Sequence, residues 1–279
     1  MAEIVDRLET VTRDFPLAAF FGAGELVQML TPACGVGIVV NADLARGRLA
    51  PACAAEAAKP VLGPASGRTR GARRRPGCGL IADEERLPIA PESLDLIVSM
   101  LTLHSANDLV GALAQARRAL KPDGLFLAAL FGEETLKELR TAFYAAETEL
   151  TGGVSPRAAP FASVRDLGSA LQRAGFALPV ADVDRVSVRY EDPARLIEDL
   201  RGMGETNVLH ERGRALTREI VAVAFDRFIR DGGRARFDIV YLTGWAPHES
   251  QQKPLKPGSA RASLQTSIKN SPNRESRRK

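Results

Sequence analysis

Glycine and polar residues that could contact a ligand follow short apolar runs in this 279-residue chain. Gly22-Ala23-Gly24 comes directly after one run, and its missing side chains would let a ligand approach the backbone. Asp43 comes after the next run, where an acid could accept hydrogen bonds from ribose hydroxyls. A lone pair of glycines is a weak signal, and an acid after a strand is often a helix cap. These residues point to a nucleotide site without establishing one.

A second group of candidates follows two further apolar runs. The acidic run Asp83-Glu84-Glu85 begins 40 residues after Asp43, and its first acid could accept a hydrogen bond from an adenine amino group. Ser99-Met100-Leu101 ends the next run, and Met100 and Leu101 could line the face of the base. The competing interpretations are a capped turn for Asp83 and plain core packing for Met100 and Leu101. The order of these parts is more informative than any single part.

The histidines and cysteines show no spacing typical of a catalytic triad or a metal site. His104, His210 and His248 lie far apart in the sequence, and His210 is expected on a surface helix. We therefore predict no metal. The cysteines are an odd number at irregular spacings, which favours reduced thiols; they are Cys34, Cys53 and Cys78.

Strands alternate with helices along most of the chain, which is typical of parallel βαβ units and a doubly wound α/β sheet. Predicted strands are 17–21, 36–40, 79–82, 94–100, 125–131, 186–190 and 237–243. Predicted helices are 25–30, 108–120, 133–150, 164–174, 193–203 and 215–230. Ser163 is the expected N-cap of one helix, and a Lys-Pro-Asp-Gly turn at 121–124 is expected to start a strand. The strands 94–100 and 125–131 should be adjacent, parallel and buried on both faces.

Composition supports a globular chain with two irregular segments. It is 45% hydrophobic and 26% charged, with a net charge of +4. Arginines crowd the segment 45–78, which we expect to be an irregular insertion, and basic residues crowd 255–279, which we expect to be a disordered tail. Neither cluster has interleaved aromatic residues, so no nucleic-acid partner is expected. No apolar run is long enough for a membrane span or a signal core, and we expect a cytoplasmic protein with one domain over 1–254.

The run ADEERLPIAPESLDLIVSMLTLHSANDLVGALAQARRALKPDGLFLAALFGEETLKELR resembles the class I methyltransferase group that contains the malonyl-carrier-protein methyltransferase of biotin synthesis. The segments AETELTGGVSPRAAPFASVRDLGSALQRAGF, EDLRGMGETN and LTGWAPHESQQKP are more narrowly similar to a respiratory complex I assembly factor with a methyltransferase fold. The resemblance covers residues from about 80 to 258. It implies a Rossmann-like, seven-stranded, mostly parallel sheet.

The resemblance also implies a pocket for S-adenosylmethionine (SAM). Carried over by position, its residues are Gly22, Gly24, Asp43, Asp83, Glu84, Ser99 and Met100, and His104 becomes the candidate catalytic residue. The chain departs from the family in the glycine loop, where Phe20 replaces an acid and Leu26 replaces a glycine. Ser105 stands where relatives have an aromatic residue. The missing acid normally helps to fix the methionine part of SAM, so weak SAM binding is expected.

Two functions compete on this basis. The first is a SAM-dependent methyltransferase acting on a protein or small-molecule substrate, a reaction that needs chiefly a positioned nucleophile. The second is a complex I assembly factor that modifies a protein arginine, or acts without catalysis, and it would have a respiratory complex subunit as its partner. The segment 245–254, WAPHESQQKP, is expected either to close the core and continue as tail or to lie near the pocket mouth or contact a protein partner.

Overall fold

The computed structural model describes residues 1–44, 79–207, 209–210 and 213–252. The strands are β1 Phe15–Phe21, β2 Val36–Asp43, β3 Gly79–Ile81, β4 Leu94–Met100, β5 Leu120–Phe131, β6 Ala177–Arg189 and β7 Arg234–Trp245. The α-helices are α1 Ala2–Thr10, α2 Leu109–Ala119, α3 Lys137–Thr151, α4 Val164–Arg173, α5 Pro193–Met203 and α6 Arg218–Arg230. Short 3₁₀ helices cover Gly24–Met29, Pro32–Cys34 and Leu103–Ser105.

The strands form one seven-stranded sheet in the order β3-β2-β1-β4-β5-β7-β6. The first five strands of this order run parallel, and β7 is antiparallel to both of its neighbours. The predicted Rossmann-like, mostly parallel fold is therefore confirmed. Strands β4 and β5 are adjacent and parallel, and the side chains of both are almost wholly buried on the two faces of the sheet.

Helices cover both faces of the sheet, as the continuous apolar strands require. Helices α2 and α4 pack on one face through Leu113 and Leu171, in the same cluster as Ile97 of β4. Helix α1 packs on the other face through Ile4 and Leu8. Side chains of α3, α5 and α6 form a third cluster with the end of β5 and the start of β7. The carboxyl ends of β1, β2 and β4 lie between these layers, and ligands bind at such ends in parallel sheets.

Several predicted elements differ from the observed ones in length or type. The segment 25–30 is not α-helical, because Gly24–Met29 forms a 3₁₀ helix. The predicted turn at 121–124 lies within β5, at an irregularity where the pairing of β5 with β4 shifts register. Helix α1 was not predicted, and strand β6 starts nine residues before the predicted 186. The Ser163 cap is confirmed, since its side chain accepts a hydrogen bond from the Asp166 N–H.

Two predictions fall on residues that the structure does not describe. The irregular insertion 45–78 and the tail 255–279 both lie outside the described residues, and so do Cys53 and Cys78. The domain boundary at 254 stays a prediction. The described part of the chain contains no helix long and apolar enough to cross a membrane.

Candidate functional site

The loop after β1, Gly22-Ala23-Gly24, is called the glycine loop below, and it contacts the end of β4. Gly22 has a φ of 66°, and its N–H donates to the carbonyl oxygen of Ala42 at 3.1 Å. A Cβ atom at this position would lie 2.5 Å from both the carbonyl oxygen of Met100 and the Cγ2 atom of Thr102. Glycine is therefore required here both by the left-handed backbone and by the close approach of the two strand ends.

Asn41 of β2 supports the second glycine of this loop. Its Nδ2 donates to the carbonyl oxygen of Gly24 at 2.9 Å, and the residue is almost completely buried. Its Oδ1 is also buried and has no hydrogen-bond partner among the described residues. Buried polar atoms are normally paired, so this oxygen is an available acceptor beside the glycine loop. Asn41 was not among the predicted site residues, although a polar residue ending an apolar strand was a signal for it.

The two predicted aspartates sit at neighbouring strand ends. Asp43 is the last residue of β2 and is buried, and its carbonyl oxygen accepts from the N–H of Ala82. Asp83 caps its own turn, because its Oδ1 accepts from the Glu85 N–H at 2.9 Å. The alternative interpretation of Asp83 as a turn cap is therefore observed, and one of its oxygens is used within the protein.

Glu84 turns inward at the same edge of the sheet. Burial raises the pKa of the Glu84 carboxyl, hydrogen bonds from the Ser99 and Thr102 hydroxyls oppose that rise, and the charges of Asp83 and Asp43 add to it. The hydroxyls of Ser99 and Thr102 also contact each other at 2.9 Å. We call Asp43, Asp83, Glu84 and Ser99 the acceptor cluster. These four predicted residues lie together at the ends of β2, β3 and β4.

Other predicted positions have mainly packing contacts in this structure. The Met100 side chain lies in the core cluster that also contains Phe20, and Leu101 packs with the third cluster. Phe20 itself is fully buried, whereas Leu26 is 46% exposed on its 3₁₀ helix. The position of the family's acid is thus occupied by a core side chain, and the position of its third glycine by an exposed one.

His104 lies one short turn beyond Met100 and faces a residue distant in the sequence. Its Nε2 lies 3.1 and 3.2 Å from the two carboxylate oxygens of Glu205, which is 101 residues away. The side chain of His104 is 4% exposed and that of Glu205 is 24% exposed. Glu205 was missed as a site residue, although it lies within the EDLRGMGETN segment that carried the family resemblance.

The remaining histidines are exposed. His210 is on the surface, as predicted, but in a bend rather than a helix. His248 belongs to a local turn, where its Nδ1 contacts the Ser250 hydroxyl at 2.7 Å and its N–H donates to Gln251. Within the described ranges, no group of three or more histidine, cysteine, aspartate or glutamate side chains could hold a metal ion.

The residues of the acceptor cluster and the glycine loop fit a ligand that donates several hydrogen bonds. Carboxylates and amide oxygens accept such bonds, and SAM offers an ammonium group, ribose hydroxyls and an adenine amino group. The unpartnered Oδ1 of Asn41 and the partly buried carboxyl of Glu84, whose pKa is raised chiefly by burial, are the observations that favour this fit. The buried Phe20 gives no carboxylate at the position where the family places one.

Comparison with known proteins shows what the chain is similar to. Residues 22–128 match the family model described as a methyltransferase domain. The human arginine-hydroxylase NDUFAF5, mitochondrial, is 38% identical over 271 residues, covering 94% of this chain and 73% of that protein. The malonyl-[acyl-carrier protein] O-methyltransferase of Laribacter hongkongensis is 36% identical over 197 residues, covering 69% of this chain and 64% of that protein.

A solved structure supports the fold. A protein of Bacillus halodurans C-125 described as a methyltransferase superposes with a TM-score of 0.55 and 13% identity, covering 88% of this chain and 98% of that one. At this identity the likeness concerns the fold alone. The extent of the match with the human relative assigns the family: the chain belongs to the methyltransferase-fold proteins that include arginine-hydroxylase NDUFAF5.

Proposed function

We propose that the protein binds SAM at the carboxyl ends of β1 to β4 and is an enzyme acting on a protein or small-molecule substrate. The observation that carries the proposal is the convergence of the acceptor cluster on the glycine loop. Asp43 would hold the ribose hydroxyls and Glu84 the ammonium group, while Ser99 and Thr102 orient the Glu84 carboxyl. Asp83 would accept a hydrogen bond from the adenine amino group. Bound SAM would supply an activated methyl group, and these residues would orient it.

The experiment is a calorimetric titration of the purified full chain with SAM. Hydrogen bonds to charged groups contribute about 1.5–3 kcal/mol, and about 1.4 kcal/mol corresponds to a tenfold change in Kd. Asp43→Asn and Glu84→Gln should therefore each weaken SAM binding about tenfold or more. Glu85→Gln is the matched control, because Glu85 contacts Asn107 and the Asp108 N–H, and its affinity should stay within about twofold. A wild-type chain that gives no binding signal would refute the proposal.

A second candidate is modification of a protein arginine by an assembly factor of a respiratory complex. It is favoured by the relative named arginine-hydroxylase, whose match extends over 94% of this chain, compared with 69% for the carrier-protein methyltransferase. Its partner would be a respiratory complex subunit. The two candidates differ in the product on an arginine-containing peptide incubated with SAM or, separately, with dioxygen and an electron donor. Mass spectrometry distinguishes gain of a methyl group from gain of one oxygen atom, the second atom of dioxygen being reduced to water.

Location and further partners belong to the same proposal. We keep a cytoplasmic location as the proposal. One relative named above is described as mitochondrial, so fractionation of cells that produce the tagged chain is the test. We propose no nucleic-acid partner. A filter-binding assay with single-stranded and double-stranded nucleic acid at physiological salt tests that part.

A further inference from the structure

His104 and Glu205 are in contact, and neighbouring residues restrict the position of each. The His104 ring packs edge-on against Phe131, with 5.0 Å between ring centroids, and lies 6.0 Å from Phe161. Glu205 follows the C-cap of α5, where the backbone of Gly204 is left-handed and the Glu205 N–H donates to the Leu200 carbonyl oxygen at 2.8 Å. This is the hydrogen-bonding pattern of a Schellman motif, which leaves Glu205 little backbone freedom.

The contact determines which ring nitrogen of His104 carries the proton. An ionised carboxylate can only accept hydrogen bonds, so the nitrogen that faces Glu205, Nε2, must be the donor. In neutral imidazole the other nitrogen is then an acceptor with a free lone pair. That nitrogen, Nδ1, is buried and has no hydrogen-bond partner among the described residues. Leaving a buried acceptor unpaired is unfavourable, and such groups call for an explanation.

The pair also adjoins the acceptor cluster. His104 lies in the 3₁₀ helix Leu103–Ser105, whose N-cap is Thr102. The Thr102 hydroxyl contacts Ser99, and Thr102 hydrogen-bonds to Glu84. The proposed cofactor side and the His104 side of the site are therefore carried by one short segment after β4.

We propose that Glu205 is a positioning residue that holds His104 in the Nε2–H form, so that Nδ1 accepts a hydrogen bond from an N–H or O–H group of the substrate. The inference deepens the proposed function, on which it rests for the reaction that the site serves. Its substrate class is a molecule whose reacting or adjacent group is a hydrogen-bond donor. The arrangement resembles other sites in which a carboxylate orients a histidine through one nitrogen and leaves the other for the substrate.

Nuclear magnetic resonance of the full chain tests the positioning role. Long-range ¹H–¹⁵N spectra report which nitrogen of each of the three histidine rings is protonated, and a His104→Gln sample assigns the signals of His104. We expect His104 in the Nε2–H form in the wild type and a mixture of both forms in Glu205→Leu. A mixture is also expected in Glu205→Gln, because its amide can either accept a hydrogen bond from Nε2 or donate one to it. A wild-type ring protonated at Nδ1, or an unchanged Nε2–H form in Glu205→Leu, would overturn the proposal.

Two isosteric replacements of His104 test the use of Nδ1. The amide of His104→Asn can place an oxygen near the position of Nδ1, whereas the amide of His104→Gln reaches the position of Nε2 and keeps the contact with Glu205. If Nδ1 accepts a hydrogen bond from the substrate, turnover of the arginine-containing peptide, followed by mass spectrometry, should fall at least tenfold further in His104→Gln than in His104→Asn. The reverse order would show that His104 only joins the two segments, and would overturn the proposal.

The tests separate this inference from the proposed function. The resonance experiment needs neither SAM nor turnover, so its outcome stands even when calorimetry shows no SAM binding. Conversely, Glu205→Gln and Glu205→Leu should bind SAM within about twofold of the wild type, because Glu205 contacts His104 and not the acceptor cluster.

Discussion

Restoring the family's acid at Phe20 should destabilise the protein severely. The Phe20 side chain is fully buried, and the residue lies in register between Asn41 of β2 and Val98 of β4. Removing a buried phenylalanine costs about 3–5 kcal/mol. Burying an unpaired polar group adds about 2 kcal/mol or more, even when the carboxyl is protonated. The total of at least about 5 kcal/mol equals the lower end of the stability range of typical domains, about 5–15 kcal/mol.

Urea unfolding followed by circular dichroism measures this effect. Phe20→Leu is the matched control, because an apolar replacement keeps most of the packing and should lower the free energy of unfolding by about 1.5 kcal/mol or less. Phe20→Asp should lower the free energy of unfolding by at least about 5 kcal/mol. If Phe20→Asp instead unfolds within about 2 kcal/mol of the wild type, its carboxylate has found a partner near the glycine loop. The interpretation of Phe20 as a pure packing residue would then be wrong.

Three further replacements address the same edge of the sheet. Leu26→Gly restores the family's glycine at an exposed position, so it should cost about 1 kcal/mol and leave SAM affinity equal or higher by calorimetry; a weaker affinity would contradict the pocket assignment. Gly22→Ala should lower the free energy of unfolding by about 2–4 kcal/mol, because its Cβ would clash with Met100 and Thr102 in a left-handed backbone; an unchanged urea midpoint would contradict this. Glu84→Gln should stabilise the protein at neutral pH. Burial raises the folded-state pKa of Glu84 above its unfolded value of 4.5, so the folded protein favours the protonated carboxyl. The stability that this carboxyl contributes is therefore present below pH 4.5 and is lost as the pH rises through the folded-state pKa. The gain in free energy of unfolding should vanish in acid, and a gain that is independent of pH would show that burial of the ionised carboxylate is not its cause.

The sheet was largely predictable from the sequence because its central strands are uninterrupted apolar runs. Strand β4 has the predicted bounds, and so does α5, which starts after the Asp192 cap and ends before Gly204. Helix α1 has only nine residues, too short for a clear period. Strand β6 is an edge strand whose Asp182 pairs with Arg7 of α1, so its polar residues conceal the strand pattern.

For the candidate site, the sequence predicted the proximity of residues only where they follow strand ends. The acceptor cluster comes together because the carboxyl ends of parallel strands lie at the same edge of the sheet. The order of strands along the chain is enough to predict this. The contact between His104 and Glu205 spans 101 residues and depends on how α5 packs, so no local spacing reveals it. Likewise, the burial of Phe20 depends on which face of β1 it occupies, and the family pattern alone pointed to a lost ligand contact.

The segment after β4 connects the two sides of the proposed site. Leu101 has a φ of 51°, a conformation that costs a non-glycine residue about 1–2 kcal/mol, and its N–H donates to the Ala129 carbonyl oxygen at 2.7 Å. Gly22 packs against the residues on either side of Leu101. This strained backbone is thus held by β5 and by the glycine loop together. Thr102 and His104 follow within one turn, so one short segment carries both the backbone that packs against Gly22 and the histidine that contacts Glu205.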